Sequence, residues 1–112
     1  MALADAYDTI VFDCDGVLWS GGATIPGAYD TLQALRAGGA KIYFMSNNSS
    51  RGAAAFRAVF ARHGLEEFVA DDRYVWNSVT ATRRWFAERS DISKAYVVGC
   101  EALRAAVRSP RG

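Results

Sequence analysis

The chain has 112 residues, room for one domain, with 51% of them apolar and 13 basic residues set against 12 acidic ones. A net charge of +1 removes the electrostatic case for nucleic acid or an anionic membrane as partner, and the arginines are scattered through helical patterns in the manner of solvated faces. No apolar run approaches the ~20 residues that span a bilayer. The stretch MALADAYDT lacks the regions of a secretory signal. Cys14 and Cys100 form neither a zinc spacing nor a CxxC pair, so the expectation is a cytoplasmic protein with reduced thiols.

TIVF (9–12) is a continuous apolar run, as expected of a buried strand. IPGAYDTLQALRAGG predicts a helix, with Pro26 in its first turn, Ala28, Leu32 and Leu35 on one face, and Gly38–Gly39 as the stop. KIYFMS (41–46) reads as a second buried strand. SSRGAAAFRAVFARHGL predicts a second helix, capped by Ser49 or Ser50, striped by Phe56, Val59, Phe60 and His63, and ended by Gly64. EEFVADDRYVW reads as a loop with a short extended piece. A third helix is predicted from Asn77 or Ser78 to about Arg89, with Val79, Thr82 and Phe86 inward. KAYVVGC (94–100) reads as a third strand and 101–107 as a last short helix. This alternation predicts an α/β fold of three parallel strands with crossover helices.

Two stretches carry the chemistry. The first strand ends on Asp13, passes Cys14, meets Asp15 and turns at Gly16. Turn chemistry alone accounts for a DG pair, since Asp and Gly accept positive φ. Ligands of open α/β sheets, however, bind beyond the carboxyl ends of the strands. There, two neighbouring carboxylates call for a cation or a shared proton to relieve their repulsion. A Mg²⁺ ion relieves it with one or two carboxylates and a substrate phosphate. Alternatively one carboxyl stays protonated as the acid while the other attacks. The second stretch, FMSNNSSRG, ends a strand in Ser46, Asn47 and Asn48 before a helix. More polar groups stand there than a cap needs, in a natural place for an anion. Cys14 falls on the opposite side of the extended segment and reads as a packing residue. His63, before Gly64 at a helix end, reads as structural. No GxGxxG or GxxxxGK occurs.

Taken together, DCDGVLW, PGAYDTLQALRAGG and FMSNNSSR resemble the haloacid dehalogenase superfamily, in the branch of p-nitrophenyl, phosphoglycolate and pyridoxal phosphatases. YVWNSVTATRRWF and KAYVVGCEAL extend the likeness over roughly residues 9 to 107. The resemblance implies a Mg²⁺-dependent phosphatase of small phosphomonoesters. Asp13 is then the nucleophile that forms an aspartyl-phosphate, and Asp15 the general acid and base. Ser46, Asn47, Asn48 and Gly16 form the phosphate-binding set, and Mg²⁺ is held by the Asp13 carboxylate and the Asp15 main-chain carbonyl.

The family's phosphate-binding lysine, its later acidic motif and its cap domain have no counterpart here, because neither Lys41 nor Lys94 matches and no Asp follows Asp91. Residues 1–112 therefore resemble the N-terminal half of a partial Rossmann-like core, without the cap and C-terminal half. The alternative to a working phosphatase is a catalytically incomplete chain that binds phosphate or a partner. Such a half-core is expected to leave strand one as an exposed edge and one sheet face bare, inviting pairing with another copy.

Overall fold

The computed structural model of the chain describes residues 3–48 and 52–110. A single turn of helix, α1 (Leu3–Ala6), leads into strand β1 (Thr9–Asp13). A two-stranded hairpin follows, β2 (Trp19–Ser20) and β3 (Ala23–Thr24), then helix α2 (Ala28–Ala37) and strand β4 (Lys41–Met45). Helix α3 (Ala53–Arg62) precedes two 3₁₀ turns at Glu66–Val69 and Asp72–Tyr74. Strand β5 (Val75–Trp76), helix α4 (Ser78–Ala87) and helix α5 (Glu101–Arg108) complete the chain.

β1, β4 and β5 form one parallel sheet in that order. Asp13 pairs with Met45 in register, so the two polar strand ends read from the sequence meet at one rim. The alternation of a strand then divides the sheet. Ile42 and Phe44 point into the core beside half-buried Ile10 and Phe12, where Leu32, Leu35, Phe56, Val59 and Phe60 of α2 and α3 cover them. The other face carries Val11 and Met45, 54% and 56% exposed. Among the described residues β1 is thus an edge of this sheet, and its second face is open at Val11 and Met45, while Tyr43 on that face is half-buried with its ring 5.0 Å from Tyr74.

Phe44 is the centre of the buried cluster. Its ring meets Phe60 edge-on at 4.8 Å and lies 6.2 Å from Phe12, and it is fully buried. Phe44→Ala is expected to cost about 3–5 kcal/mol, a large share of the ~5–15 kcal/mol typical of a domain. A urea melt reads this directly, and a loss below ~1 kcal/mol contradicts the assigned core.

Helix α2 begins at Ala28 behind Gly27, whose φ of 86° no proline or β-branched residue would adopt. Pro26 therefore lies before the helix rather than in its first turn as the sequence suggests. α4 is held by a capping box. The Asn77 side chain accepts the Thr80 N–H, and the Thr80 hydroxyl accepts the Asn77 N–H, both at 2.8 Å. Gly64, with φ 70°, follows α3 and returns the chain. Gly38 does more than stop α2, since a Cβ there would lie 2.8 Å from the Ala4 Cβ of α1. The Ser49 and Ser50 caps read from the sequence lie outside the described residues.

Two further expectations need correction. Residues 94–100 form no strand; Tyr96 is 95% and Val98 83% exposed. The third strand is instead Val75–Trp76, which pairs with Phe44 and Met45. Apolar, β-branched residues favour a strand only where a neighbouring backbone receives them, and here β5 holds the end of β4. The second correction is an addition, because the hairpin β2–β3 went unread. Its turn residues, Gly21 and Gly22, have φ of 57° and 88°, and such a Gly-Gly pair is a known hairpin signal. Among the described residues no helix is long and apolar enough to cross a membrane.

Candidate active site

The sheet rim is built by three strand ends. β1 ends in Asp13, Ser46 follows β4, and Asn77 follows β5. The Ser46 N–H donates to the Trp76 carbonyl at 2.9 Å, fastening the second end to the third. The Asn77 amide donates to the Asn48 carbonyl at 2.7 Å and anchors the start of the polar loop. An open groove of about 700 Å³ lies along this rim, lined by Asp13, Ser46, Asn47, Trp76, Asn77 and Ser78 among others.

Two side chains in the groove are oriented by backbone. Asp13 Oδ1 accepts the N–H of Cys14 at 2.8 Å, which directs Oδ2 elsewhere. The Asn48 N–H donates to Ser46 Oγ at 3.1 Å, which leaves the Ser46 hydroxyl proton for another acceptor. Ser46 is buried while Asp13 and Asn47 are exposed.

Asp15 does not line this groove but lies two residues beyond Asp13. It is exposed beside a second depression lined by Trp19, Gly21, Gly22, Arg62 and His63 among others. Its Oδ1 accepts the indole N–H of Trp19 at 3.0 Å. Gly16 supplies the turn rather than a wall of the groove. Its φ is 82°, its N–H reaches the Trp19 carbonyl at 2.7 Å, and the Cys14 carbonyl accepts from Leu18 at 2.9 Å. The turn reading of DG and the exposure of both carboxylates therefore hold together. The structure brings Asp13, Ser46 and Asn47 to one surface, with Asn48 behind them and Asp15 and Gly16 to the side. Asn77 and Ser78 were not read as rim residues. Their signal was a polar pair directly after the short extended piece YVW.

Cys14 is fully buried between the two carboxylates in sequence, and burial first, then the charges of Asp13 and Asp15, pushes its thiol up to about 12. That is an inert packing cysteine, as its position in the strand implied. Iodoacetamide at pH 8 is expected to label exposed Cys100 in the folded protein and Cys14 only after unfolding. Rapid native labelling of Cys14 contradicts this packing. His63 closes α3, its ring stacks on Trp19 at 4.9 Å, and its Nδ1 lies 2.7 Å from Thr24 Oγ1. These are structural contacts, as read.

Among the described residues, no group of three or more His, Cys, Asp and Glu is placed to hold a metal. Asp13 is the carboxylate that lines the groove, beside the oxygen-bearing side chains of Ser46, Asn47, Asn77 and Ser78, and Asp15 follows two residues later at the neighbouring depression. This sparse oxygen set fits Mg²⁺, which keeps several waters and takes one or two carboxylates.

Residues 10–110 match the family of haloacid dehalogenase-like hydrolases. The chain belongs to that family. Among relatives of this haloacid dehalogenase-like chain, human glycerol-3-phosphate phosphatase is 38% identical over 109 residues, covering 93% of this chain and 34% of the relative. The 4-nitrophenylphosphatase of Schizosaccharomyces pombe is 46% identical over 61 residues, covering 54% of this chain and 20% of the relative. A glycerol phosphate phosphatase from Mycobacterium tuberculosis, solved in complex with magnesium, superposes with a TM-score of 0.76 at 26% identity. That match covers 96% of this chain and 32% of the other. This haloacid dehalogenase-like chain thus spans about a third or less of the length of these relatives.

Proposed function

We propose that the protein is a Mg²⁺-dependent phosphatase of small phosphomonoesters, working through an aspartyl-phosphate on Asp13 with Asp15 as acid and then base. The observation that carries this reading is the placement of Asp13 and Ser46 on one groove, at the ends of adjacent parallel strands. The relatives named as phosphatases support the same class of substrate.

With Oδ1 held by the Cys14 N–H, Oδ2 of Asp13 is the attacking oxygen. A bond forms from Oδ2 to phosphorus, the bond from phosphorus to the alcohol oxygen breaks, and Asp15 gives its proton to the departing alkoxide. Water then attacks the same phosphorus and Asp15 takes its proton. The Oδ2–phosphorus bond breaks, returning Asp13 and releasing inorganic phosphate. Ser46 donates its hydroxyl proton to a phosphoryl oxygen and Asn47 adds its amide. Asn48 orients Ser46, and Gly16 sets the turn. The Asp13 carboxylate and the Asp15 carbonyl would hold a Mg²⁺ ion, which when bound would supply positive charge against the repulsion between carboxylate and phosphate.

One observation favours a second reading, in which this chain binds phosphate without turning it over. Neither lysine lines the groove, since Lys41 opens β4 at the far end of the sheet and Lys94 borders a separate depression. The test is p-nitrophenyl phosphate hydrolysis with EDTA and with added Mg²⁺. Turnover that stops with EDTA and returns with Mg²⁺ supports the phosphatase. A folded protein without turnover, but with a melting point raised by inorganic phosphate, supports the second reading. EDTA-insensitive turnover overturns the metal assignment.

A further inference from the structure

Trp19 is 5% exposed, yet its one polar atom is turned to an exposed carboxylate. A buried indole N–H needs a partner, and a backbone carbonyl would serve. Here the partner is Asp15, four residues earlier, with Nε1 to Oδ1 at 3.0 Å. The indole itself has little freedom. His63 lies flat against it, with centroids 4.9 Å apart and planes 8° apart, and Phe60 meets it edge-on at 5.0 Å. The His63 ring is pinned in turn by the Thr24 hydroxyl on strand β3. Along the backbone, Gly16 donates to the Trp19 carbonyl, so β2 and the DG turn are joined twice.

We propose that Trp19 is the positioning residue for Asp15. Stacked on His63, it holds Oδ1 through its indole N–H so that Oδ2 is the oxygen presented for proton transfer. The inference rests on the phosphatase reading and adds to it a residue that touches no substrate. A carboxyl that turns freely samples many directions, and one held by a fixed donor keeps its second oxygen in one place, which is the usual source of a supporting residue's effect.

The test uses leaving groups of different need. p-Nitrophenolate departs without a proton, whereas the alkoxide of glycerol 3-phosphate needs one. Trp19→Phe keeps an aromatic ring against His63 and Phe60 and removes the donor. Its kcat/KM is expected to fall about tenfold or more with glycerol 3-phosphate and less than about threefold with p-nitrophenyl phosphate. Where this variant does not fold, 3-benzothienylalanine at position 19 keeps the bicyclic shape with sulfur in place of N–H, and the same split is expected. Equal losses for both substrates, or none, in a protein whose hydrolysis depends on Asp13 overturn the inference alone. Hydrolysis that is absent or indifferent to Asp13→Asn overturns the phosphatase reading and the inference with it.

Discussion

Asp13→Asn is expected to lower kcat/KM for p-nitrophenyl phosphate by about 10³-fold or more while leaving the fold intact. The amide oxygen can still accept the Cys14 N–H at the place of Oδ1, so the turn keeps its bond. The side chain is exposed at a strand end, where a substitution costs no more than ~0.5 kcal/mol. What disappears is the ionised oxygen that attacks phosphorus, and removal of a nucleophile is among the largest single losses an active site sustains. Ser46 and its orientation by Asn48 are untouched, so at saturating Mg²⁺, which Asp13 is also proposed to hold, the loss is expected in kcat rather than in KM. Parallel urea melts separate the two effects. A loss of activity below about tenfold, in a protein that melts like the wild type, contradicts the role of Asp13.

Asp15→Asn is expected to act differently on the two chemical steps. An amide neither gives a proton to an alkoxide nor takes one from water. Alkyl phosphates, which need both services, are expected to lose about 10²–10⁴-fold in kcat. p-Nitrophenyl phosphate needs only the second, so its first step continues and the phosphorylated protein accumulates. The measurement is a rapid-quench burst of p-nitrophenolate, equal at most to one per site and followed by a slow steady rate. Equal losses for alkyl and aryl substrates, with no burst, contradict the assignment of Asp15 as acid and base. In this variant the amide oxygen takes the place of Asp15 Oδ1 and still accepts the Trp19 indole N–H, so the hairpin stays in place.

Much of this site could be read from residues alone because it sits where two simple patterns end. TIVF and KIYFM are apolar runs that stop on Asp13 and Ser46, and parallel pairing with Asp13 opposite Met45 brings those stops together. Gly64 and Asn77 mark helix boundaries through local chemistry that needs no tertiary partner. Residues 94–100 show the limit of that approach. Their composition is that of a strand, but a strand exists only where a neighbour accepts its hydrogen bonds, and the short VW segment occupies the end of β4. The division of the rim was also invisible. Nothing in the spacing of Asp13 and Asp15 says that one lines the Ser46 groove while the other turns to Trp19, because that separation depends on the packing of Trp19 against His63 and Phe60.

The central claim is that Asp13 receives the phosphoryl group. The most direct test mixes the Asp15→Asn variant with p-nitrophenyl phosphate and Mg²⁺, quenches in acid, and locates the modification by peptide mass spectrometry. The account predicts the mass of one phosphoryl group on Asp13, in the peptide that spans the end of β1 and the DG turn, absent when Asp13 is also changed to Asn. Release of p-nitrophenolate with no phosphoryl group on Asp13, or with one on another residue, would contradict it.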